Sequence, residues 1–557
     1  MPTPLQIAPE EAQEKFKEKM VEIAIKDQER AVQRHADELH IGYINLKGFP
    51  IGPEVLVLIP ENVARDLKIV AFFKEEQELR VGAVDPANEH VLAFLENLTA
   101  DTKVNVVPYL ISEHSLELAL RLYAAVPKVK KFTSGVQVSP EDLEKFKKEL
   151  KSIRELEAKL REVSLTQVIT LLIAGAVISR SSDIHIEAEE KTVLVRYRID
   201  GVLHEIAHLP VENWKKIISR VKLLAHLKLN ITQKPQDGRF TIYLDKETID
   251  VRASTLPTTF GESVVMRLLM SSAIGLKLED LGMRPSALAI IKKQVQRPNG
   301  MVLTTGPTGS GKTTTLYAFL TTLNKPDTNI ITLENPVEYH LAGINQSQVN
   351  EEKDYTFAKG LRSIMRQDPD VVMVGEIRDG ETAEIATNAA LTGHLMLSTL
   401  HTNDAAGAIP RLIALGVKPF LLAPALNVII GQRLVRRICQ KCKTKAAISV
   451  ELLERAKEAL GKISPTSGEK VDMQNLVFYK GQGCEACQGI GYRGRIGIYE
   501  ILVMNSEIEK IILSAQVSEY DIRDIAARHG MLTMAQDGLL KALEGITTLE
   551  EVFQVIE

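Results

Sequence analysis

A chain of 557 residues with 45% hydrophobic and 25% charged side chains has the makeup of a folded globular protein of about three to four domains, which excludes a disordered or fibrous chain. Its 68 basic and 72 acidic side chains leave a net charge of −4, so no global field favours nucleic acid. The longest apolar run, Val168 to Ile178, has eleven residues where a bilayer needs about 20, and Thr3 to Lys19 is polar and acidic; the expectation is a cytoplasmic chain, at most peripheral to a membrane.

In chain order, Glu10 to about Leu39 is a charged helical pattern. From Pro53 the pattern turns α/β: strand-like Ile69-Val-Ala-Phe-Phe and Leu79-Arg-Val-Gly-Ala-Val, a helix at Val91 to Leu98, a strand at Lys103 to Tyr109 and a helix from Ser112 to Tyr123. Nothing in residues 1–125 has catalytic spacing, so a small α/β docking or regulatory domain is expected there. Residues 126–164 read as a charged helical linker, started by Ser139-Pro-Glu-Asp. Leu143, Phe146, Leu150, Ile153, Leu156 and Leu160 give it one apolar stripe, which suits a lone helix lying on a neighbouring domain better than a coiled coil.

Residues 165–281 form a second α/β unit. Val193-Leu-Val-Arg-Tyr-Arg-Ile alternates as a half-buried strand before a hairpin turn at Asp200-Gly201, and Pro235 to Arg239 and Thr248 to Arg252 repeat that grammar. Arg196, Arg198, Arg239, Arg252 and Arg267 are spaced so that several share one sheet face; from spacing alone, a solvated basic face is the preferred reading.

Residues 282–557 carry the chemistry. Apolar Met301-Val-Leu leads into Gly306-Pro307-Thr308-Gly309-Ser310-Gly311-Lys312-Thr313, with Thr314 and Thr315 opening a helix. Such a loop turns backbone N–H groups inward at the positive end of a helix, and so holds an anion. The glycines permit the tight turn, Lys312 reaches β- and γ-phosphates, and the Thr313 hydroxyl is a ligand for Mg²⁺. Two later strands end in acids: Asn329 to Glu334, with Glu338 just beyond, and Asp370 to Glu376. Beside a phosphate loop such acids orient a metal's water shell or act as base (Glu376) and position or activate the attacking water (Glu334 or Glu338). His394 and His401 bracket a strand-like segment, where each is either a satisfied core residue or a donor to a γ-phosphate.

The four cysteines stand as Cys439-Gln-Lys-Cys442 and Cys484-Glu-Ala-Cys487, 41 residues apart. Two such knuckles supply four thiolates for structural Zn²⁺, and the gap predicts an inserted zinc subdomain at about 437–490; disulfides are the alternative. Arg433, Arg436, Arg437, Lys441, Lys443 and Lys445 crowd the first knuckle, a patch for an acidic partner, for anionic lipid headgroups, or for solvent alone.

These motifs, in this order, resemble the secretion and type IV pilus assembly ATPases, the GspE/PilB family. The resemblance rests on the phosphate loop, Thr332-Leu-Glu-Asn-Pro-Val-Glu338, Leu361 to Asp379, Thr392 to Thr402, Ser181-Ser-Asp-Ile-His-Ile-Glu187, Pro235 to Arg239 and the knuckles followed by Gly491-Tyr-Arg-Gly-Arg495. It implies a RecA-like P-loop ATPase core after a PAS-like domain, assembled as a homohexamer. ATP would lie between the two domains, with Arg196, Arg198, Arg252 and Arg267 near its phosphates. Hydrolysis would swing the domains and push an inner-membrane platform protein that adds pilin to a fibre; a type II secretion motor of the same family is the alternative. Retraction motors share the core but generally lack the knuckles, so the cysteines favour extension or secretion.

The chain departs from the family pattern at Asn335, usually aspartate, and at Phe260-Gly261-Glu262, where histidine usually precedes Gly-Glu. It also lacks the Arg-Leu-Gly start that some relatives use for a cyclic dinucleotide, so that ligand is not expected. A nucleic-acid motor is the distant alternative, disfavoured by 5% aromatic residues and a single tryptophan, Trp214.

Overall fold

The computed structural model describes residues 10–56, 58–75, 78–102, 104–125, 135–138, 157, 160, 165–244, 248–270, 276–514 and 517–557. The chain forms two compact units, Met1–Thr133 and Ser134–Glu557. The linker stripe at Leu143, Phe146, Leu150, Ile153 and Leu156 lies outside the described residues; its last member, Leu160, is buried.

In the first unit, strands β1 (Gly42–Tyr43), β2 (Ile69–Glu75), β3 (Glu78–Ala83) and β4 (Asn105–Leu110) make one sheet in the order β1-β4-β3-β2. Only the β2–β3 hairpin is antiparallel. Alternation decides its faces: Ile69 and Ala71 enter one apolar cluster, Val70 and Phe72 the other. The helix Glu10–Leu39 is pinned by Glu29, whose buried carboxylate accepts hydrogen bonds from the Tyr43 hydroxyl (2.6 Å) and the Ser112 hydroxyl (2.5 Å).

The second unit contains two seven-stranded sheets. The first comprises β5 (Gly135–Gln137), β6 (Asp183–Ala188), β7 (Thr192–Ile199), β8 (Val202–Pro210), β9 (Gln236–Tyr243), β10 (Thr248–Thr258) and β11 (Gly261–Leu269), ordered β5-β9-β10-β11-β6-β7-β8. Apart from β5 the strands are antiparallel, so each side chain has a direct cross-strand partner on its own face. One face is apolar and covered by the helices Leu165–Ile178 and Trp214–Leu224. The other presents one registered row, Arg239, Arg252, Arg267, Asp183 and Arg198, with Arg196 two residues along β7. The shared arginine face allowed by the spacing is thus built by register. Among the described residues no helix is long and apolar enough to cross a membrane; the run from Val168 lies in the first of these two helices.

The second sheet contains β12 (Gly300–Thr305), β13 (Ile330–Glu334), β14 (Asn345–Gln348), β15 (Val371–Val374), β16 (Leu395–Leu400) and β17 (Leu426–Ile438), all parallel. Between β17 and the last strand, a small ribbon, β18 (Lys443–Lys445) with β19 (Tyr479–Gly481), and the helix Val450–Gly461 form the insertion. Strand β20 (Tyr492–Val503) then returns antiparallel to β17, giving the order β14-β13-β15-β16-β12-β17-β20. Strands β12, β13, β15 and β16 are buried along their whole length, because helices cover both faces.

One charged pair lies inside the first sheet's layer. The Lys222 ammonium donates to the Glu262 carboxylate at 2.7 Å and to the Ile231 carbonyl at 2.7 Å, with both side chains under 10% exposed. Removing one partner strands a buried charge, so Lys222→Met should destabilise this layer by about 3–5 kcal/mol. Trp214, the sole tryptophan, is buried in the same layer and reports its unfolding by fluorescence. A denaturant midpoint unmoved from that of the unaltered chain would contradict the pair's structural role.

Candidate functional site

Six buried residues of β12 deliver the chain to Gly306, where the loop leaves the sheet. A Cβ at Gly306 would lie 2.5 Å from the Gln432 carbonyl and 2.6 Å from the Ser310 hydroxyl, so no side chain fits there. Gly309 and Gly311 hold φ of +80° and +89°, and the helix Lys312–Leu323 begins directly after. Gln432 on β17 buttresses the loop by donating to the Ser310 carbonyl at 2.8 Å. Pro307, Thr308, Gly309 and Thr313 are exposed along the outer rim, and Thr314 is partly covered. Ser310 keeps a buried hydroxyl without a protein partner.

Lys312 folds back over this loop and donates to the carbonyls of Gly306 (2.8 Å) and Pro307 (3.1 Å). Burial pushes its ammonium down to about 8, against the pull of Glu376 and with a further downward push from Arg433. A cation held in this way, with little solvent and only carbonyls as partners, is poised for a phosphate.

The acids sit where parallel register puts strand ends together. Thr305 pairs with Leu400, and Val374 with both Leu333 and Ser398, so the residues following β12, β13, β15 and β16 emerge on one edge. Glu376 lies there, paired to Arg378 at 2.7 Å and 3.4 Å from Nε2 of His401. Glu338, a little over a third exposed, is bound by Arg252 at 3.1 Å. The two acids expected to share one role therefore differ. Glu334 is buried and accepts three hydrogen bonds, from the Tyr317 hydroxyl, from Thr332 (2.6 Å) and from Gln346 (3.2 Å). These bonds tie β13 to β14 and to the helix that follows the loop.

His394 is also placed differently from the expectation. It precedes β16, beside Gly300 at the start of β12, with its ring at 3.1 Å from the Ala389 carbonyl. Six strand residues at about 3.3 Å each put it roughly 20 Å from the phosphate loop. Two histidines that bracket one strand necessarily lie at opposite ends of it, so only His401 joins the site.

Four arginines of the first sheet, Arg196, Arg198, Arg252 and Arg267, rest on carboxylates. Arg196 makes two bonds to Glu187 (2.6 and 2.7 Å), and Arg267 donates to Asp183 at 2.9 Å, with Arg198 3.5 Å from the same acid. Arg252 bridges the two sheets, donating to the Val337 carbonyl at 3.0 Å as well as to Glu338. The Nε atoms of Arg196 and Arg252, and Nε2 of His185, are buried without a protein partner. Arg433, grouped by sequence with the knuckle patch, belongs instead to this site, donating to the Asn403 carbonyl at 2.8 Å. The signal that could have separated it is its position six residues before Cys439, in the middle of a long strand.

The four cysteines converge, with all Sγ atoms within 4.8 Å of one another. Cys439–Cys484, Cys442–Cys487 and Cys484–Cys487 are each 3.8 Å apart, far beyond a disulfide's S–S length of about 2.05 Å. Four thiolates at about 2.3 Å around one tetrahedral ion stand about 3.8 Å apart, so the set fits a single metal ion. Against the upward effect of burial, backbone N–H groups of Cys484 and Gly491 hold the Cys487 thiol down at about 7.

Tyr317→Phe removes a donor from the buried Glu334 and should lower stability by about 1.5–3 kcal/mol, read as an earlier thermal transition. Nucleotide affinity should change little, and a large loss of affinity without loss of stability would place Glu334 in the binding machinery after all.

A family model described as type II/IV secretion system protein matches residues 159–554, and a MshEN domain model matches 39–128. The chain is 42% identical over 512 residues to the type IV pilus assembly ATPase PilB of Myxococcus xanthus, covering 91% of this chain and 88% of that one. To the type II secretion system protein E of Pseudomonas aeruginosa it is 45% identical over 394 residues, 71% of this chain and 76% of that one. The Legionella pneumophila ATPase DotB shares the fold at TM-score 0.50 and 20% identity, over 69% of this chain and 94% of that one. With a RecA-like core holding the phosphate loop and a family match over most of its length, this chain belongs to the type II/IV secretion system protein family of secretion and pilus ATPases.

Proposed function

We propose that the chain is an ATP-hydrolysing motor subunit that drives type IV pilus extension. It acts as a homohexamer at the inner face of the cytoplasmic membrane, held there by an inner-membrane platform protein. The observation that carries this reading is Lys312, buried over a glycine loop beside the Glu376–His401 pair. We take residues 1–125 as the docking domain, 126–164 as the linker, and 165–281 and 282–557 as the two halves of the motor.

Lys312 exchanges its loop carbonyls for the β- and γ-phosphates, aided by the Ser310 hydroxyl and the backbone of Gly306 to Thr314. Oxygen ligands from Thr313 and Glu376 suit Mg²⁺, which when bound neutralises phosphate charge. Glu376 takes the proton of the attacking water as its oxygen bonds to the γ-phosphorus and the bond to ADP breaks. His401 holds that carboxylate in line. Arg196, Arg198, Arg252 and Arg267 leave their carboxylates for phosphate oxygens, and Glu338, released by Arg252, is then free to orient the water. Because Arg252 bridges the sheets, this exchange alters the contact between them and provides the mechanical step. Four thiolates in a closed set suit architectural Zn²⁺.

Pilus extension is preferred over secretion because the pilus relative aligns over 91% of the chain, first unit included, and the secretion relative over 71%. Secretion remains the second reading, supported by the 45% identity of that match.

Bound phosphate raises the Lys312 pKa above its free value of about 8. ATP affinity should therefore be flat below that pH and fall, by up to about tenfold per unit, as pH rises toward the bound value. Titration with a fluorescent nucleotide tests this: Lys312→Arg should lose the inflection, Lys312→Ala should lose turnover, and an unaltered profile in the arginine variant would contradict the assignment.

Cys439→Ser should release about one equivalent of zinc per chain, by a colorimetric chelator assay, and lower the melting temperature. Full zinc content in that variant would remove the metal centre.

A further inference from the structure

Behind the phosphate loop lies a buried charged cluster with no role in the reading above. Thr305, the last residue before the loop, pairs with Gly431, and Gly431 pairs with Glu500 on β20. Glu500 is 3% exposed and accepts a hydrogen bond from the Ala405 amide at 3.1 Å. Gly431 makes room for that contact, since a Cβ there would stand 3.1 Å from the Ala405 nitrogen. The loop that reaches Ala405 starts at His401. It is tied to β12 by Thr402, whose amide donates to the Thr305 hydroxyl at 3.0 Å. Arg433 holds the Asn403 carbonyl, and Asp404 is bound by Arg523 and accepts from the Gly407 amide at 2.8 Å. Arg523 comes from the C-terminal helix Glu519–Arg528 and also pairs with Glu519.

We propose that Glu500 is a positioning residue for hydrolysis: as acceptor for the Ala405 amide, with Asp404 and Arg523, it fixes the His401 loop so that the imidazole faces Glu376. This rests on the ATP-hydrolysis reading. Arg433 and Arg523 also hold the middle of the loop, at Asn403 and Asp404, but both are partly exposed, whereas Glu500 holds Ala405 from a fully buried position. The acceptor, not the charge, is the working feature. Burial first, and the nearby Asp404, push this carboxyl up to about 7 against the Ala405 amide and Arg523, so its charge is weakened while its acceptor oxygens stay in place. Arg433, Arg523 and Asp404 are the charged groups around it, and Glu519 joins the cluster through Arg523.

The test compares Glu500→Gln, which keeps an acceptor, with Glu500→Ala, which does not, in the full chain. The alanine variant should lose at least tenfold in kcat with fluorescent-ADP affinity within twofold, and the glutamine variant should restore kcat to within about threefold. Amide exchange by mass spectrometry should rise across residues 402–407 in the alanine variant only. Arg523→Gln, at a partly exposed position, should lower kcat in the same direction while nucleotide still binds. Any of four results overturns the proposal: unchanged kcat in Glu500→Ala, unchanged exchange in that variant, a glutamine variant as slow as the alanine one, or parallel loss of nucleotide affinity. Absence of turnover in the unaltered chain would overturn the hydrolysis reading instead, and the exchange comparison would still decide whether Glu500 holds the loop.

Discussion

In-register parallel pairing of β12, β16, β15 and β13 is the constraint on which the site depends. Backbone hydrogen bonds fix where each strand stops, so the phosphate loop, His401, Glu376 and the segment of Glu338 all leave the sheet at one edge. No side chain needs to select this arrangement. The same register sends His394 to the far edge, and it leaves Glu334, still within its strand, buried and bonded to Tyr317 where Glu338 is partly exposed. Function follows from which residue falls just past a strand's end.

The antiparallel sheet works by a complementary rule. Direct cross-strand pairing lines up arginines from four strands, and Asp183 and Glu187 on a fifth keep that row from repelling itself. Like charges opposite one another are destabilising unless counter-ions intervene. Four of the row's cations, Arg196, Arg198, Arg252 and Arg267, are each held by a carboxylate. Arg252 alone reaches across to the other sheet, through the Val337 carbonyl and Glu338.

Much of this was legible in the sequence because local patterns carry it. The glycine spacing at 306–311 dictates a loop whatever surrounds it, alternation in Val193 to Ile199 gives a strand, and two C-x-x-C knuckles need only come together. What escaped was set by register between distant strands. Spacing could not tell that Glu334 would meet Tyr317 and Gln346, because those contacts join three separate elements. Nor could it assign Arg433 to the nucleotide edge when its neighbours in sequence lie at the cysteines. A long strand has two ends, and charge counted along it mixes them.

That strand has a mechanical consequence. From Gln432, which holds the Ser310 carbonyl, the β17–β20 ribbon runs without a break in pairing beyond one bulge to Ile438 and Tyr492, where Cys439 continues it. At about 3.3 Å per residue its tip stands roughly 20 Å from its root, so a tilt of a few degrees at the phosphate loop becomes a displacement of about an ångström at the cysteines. Geometrically the ribbon is a lever arm rooted at the glycine loop, with the four clustered cysteines gathering its far end.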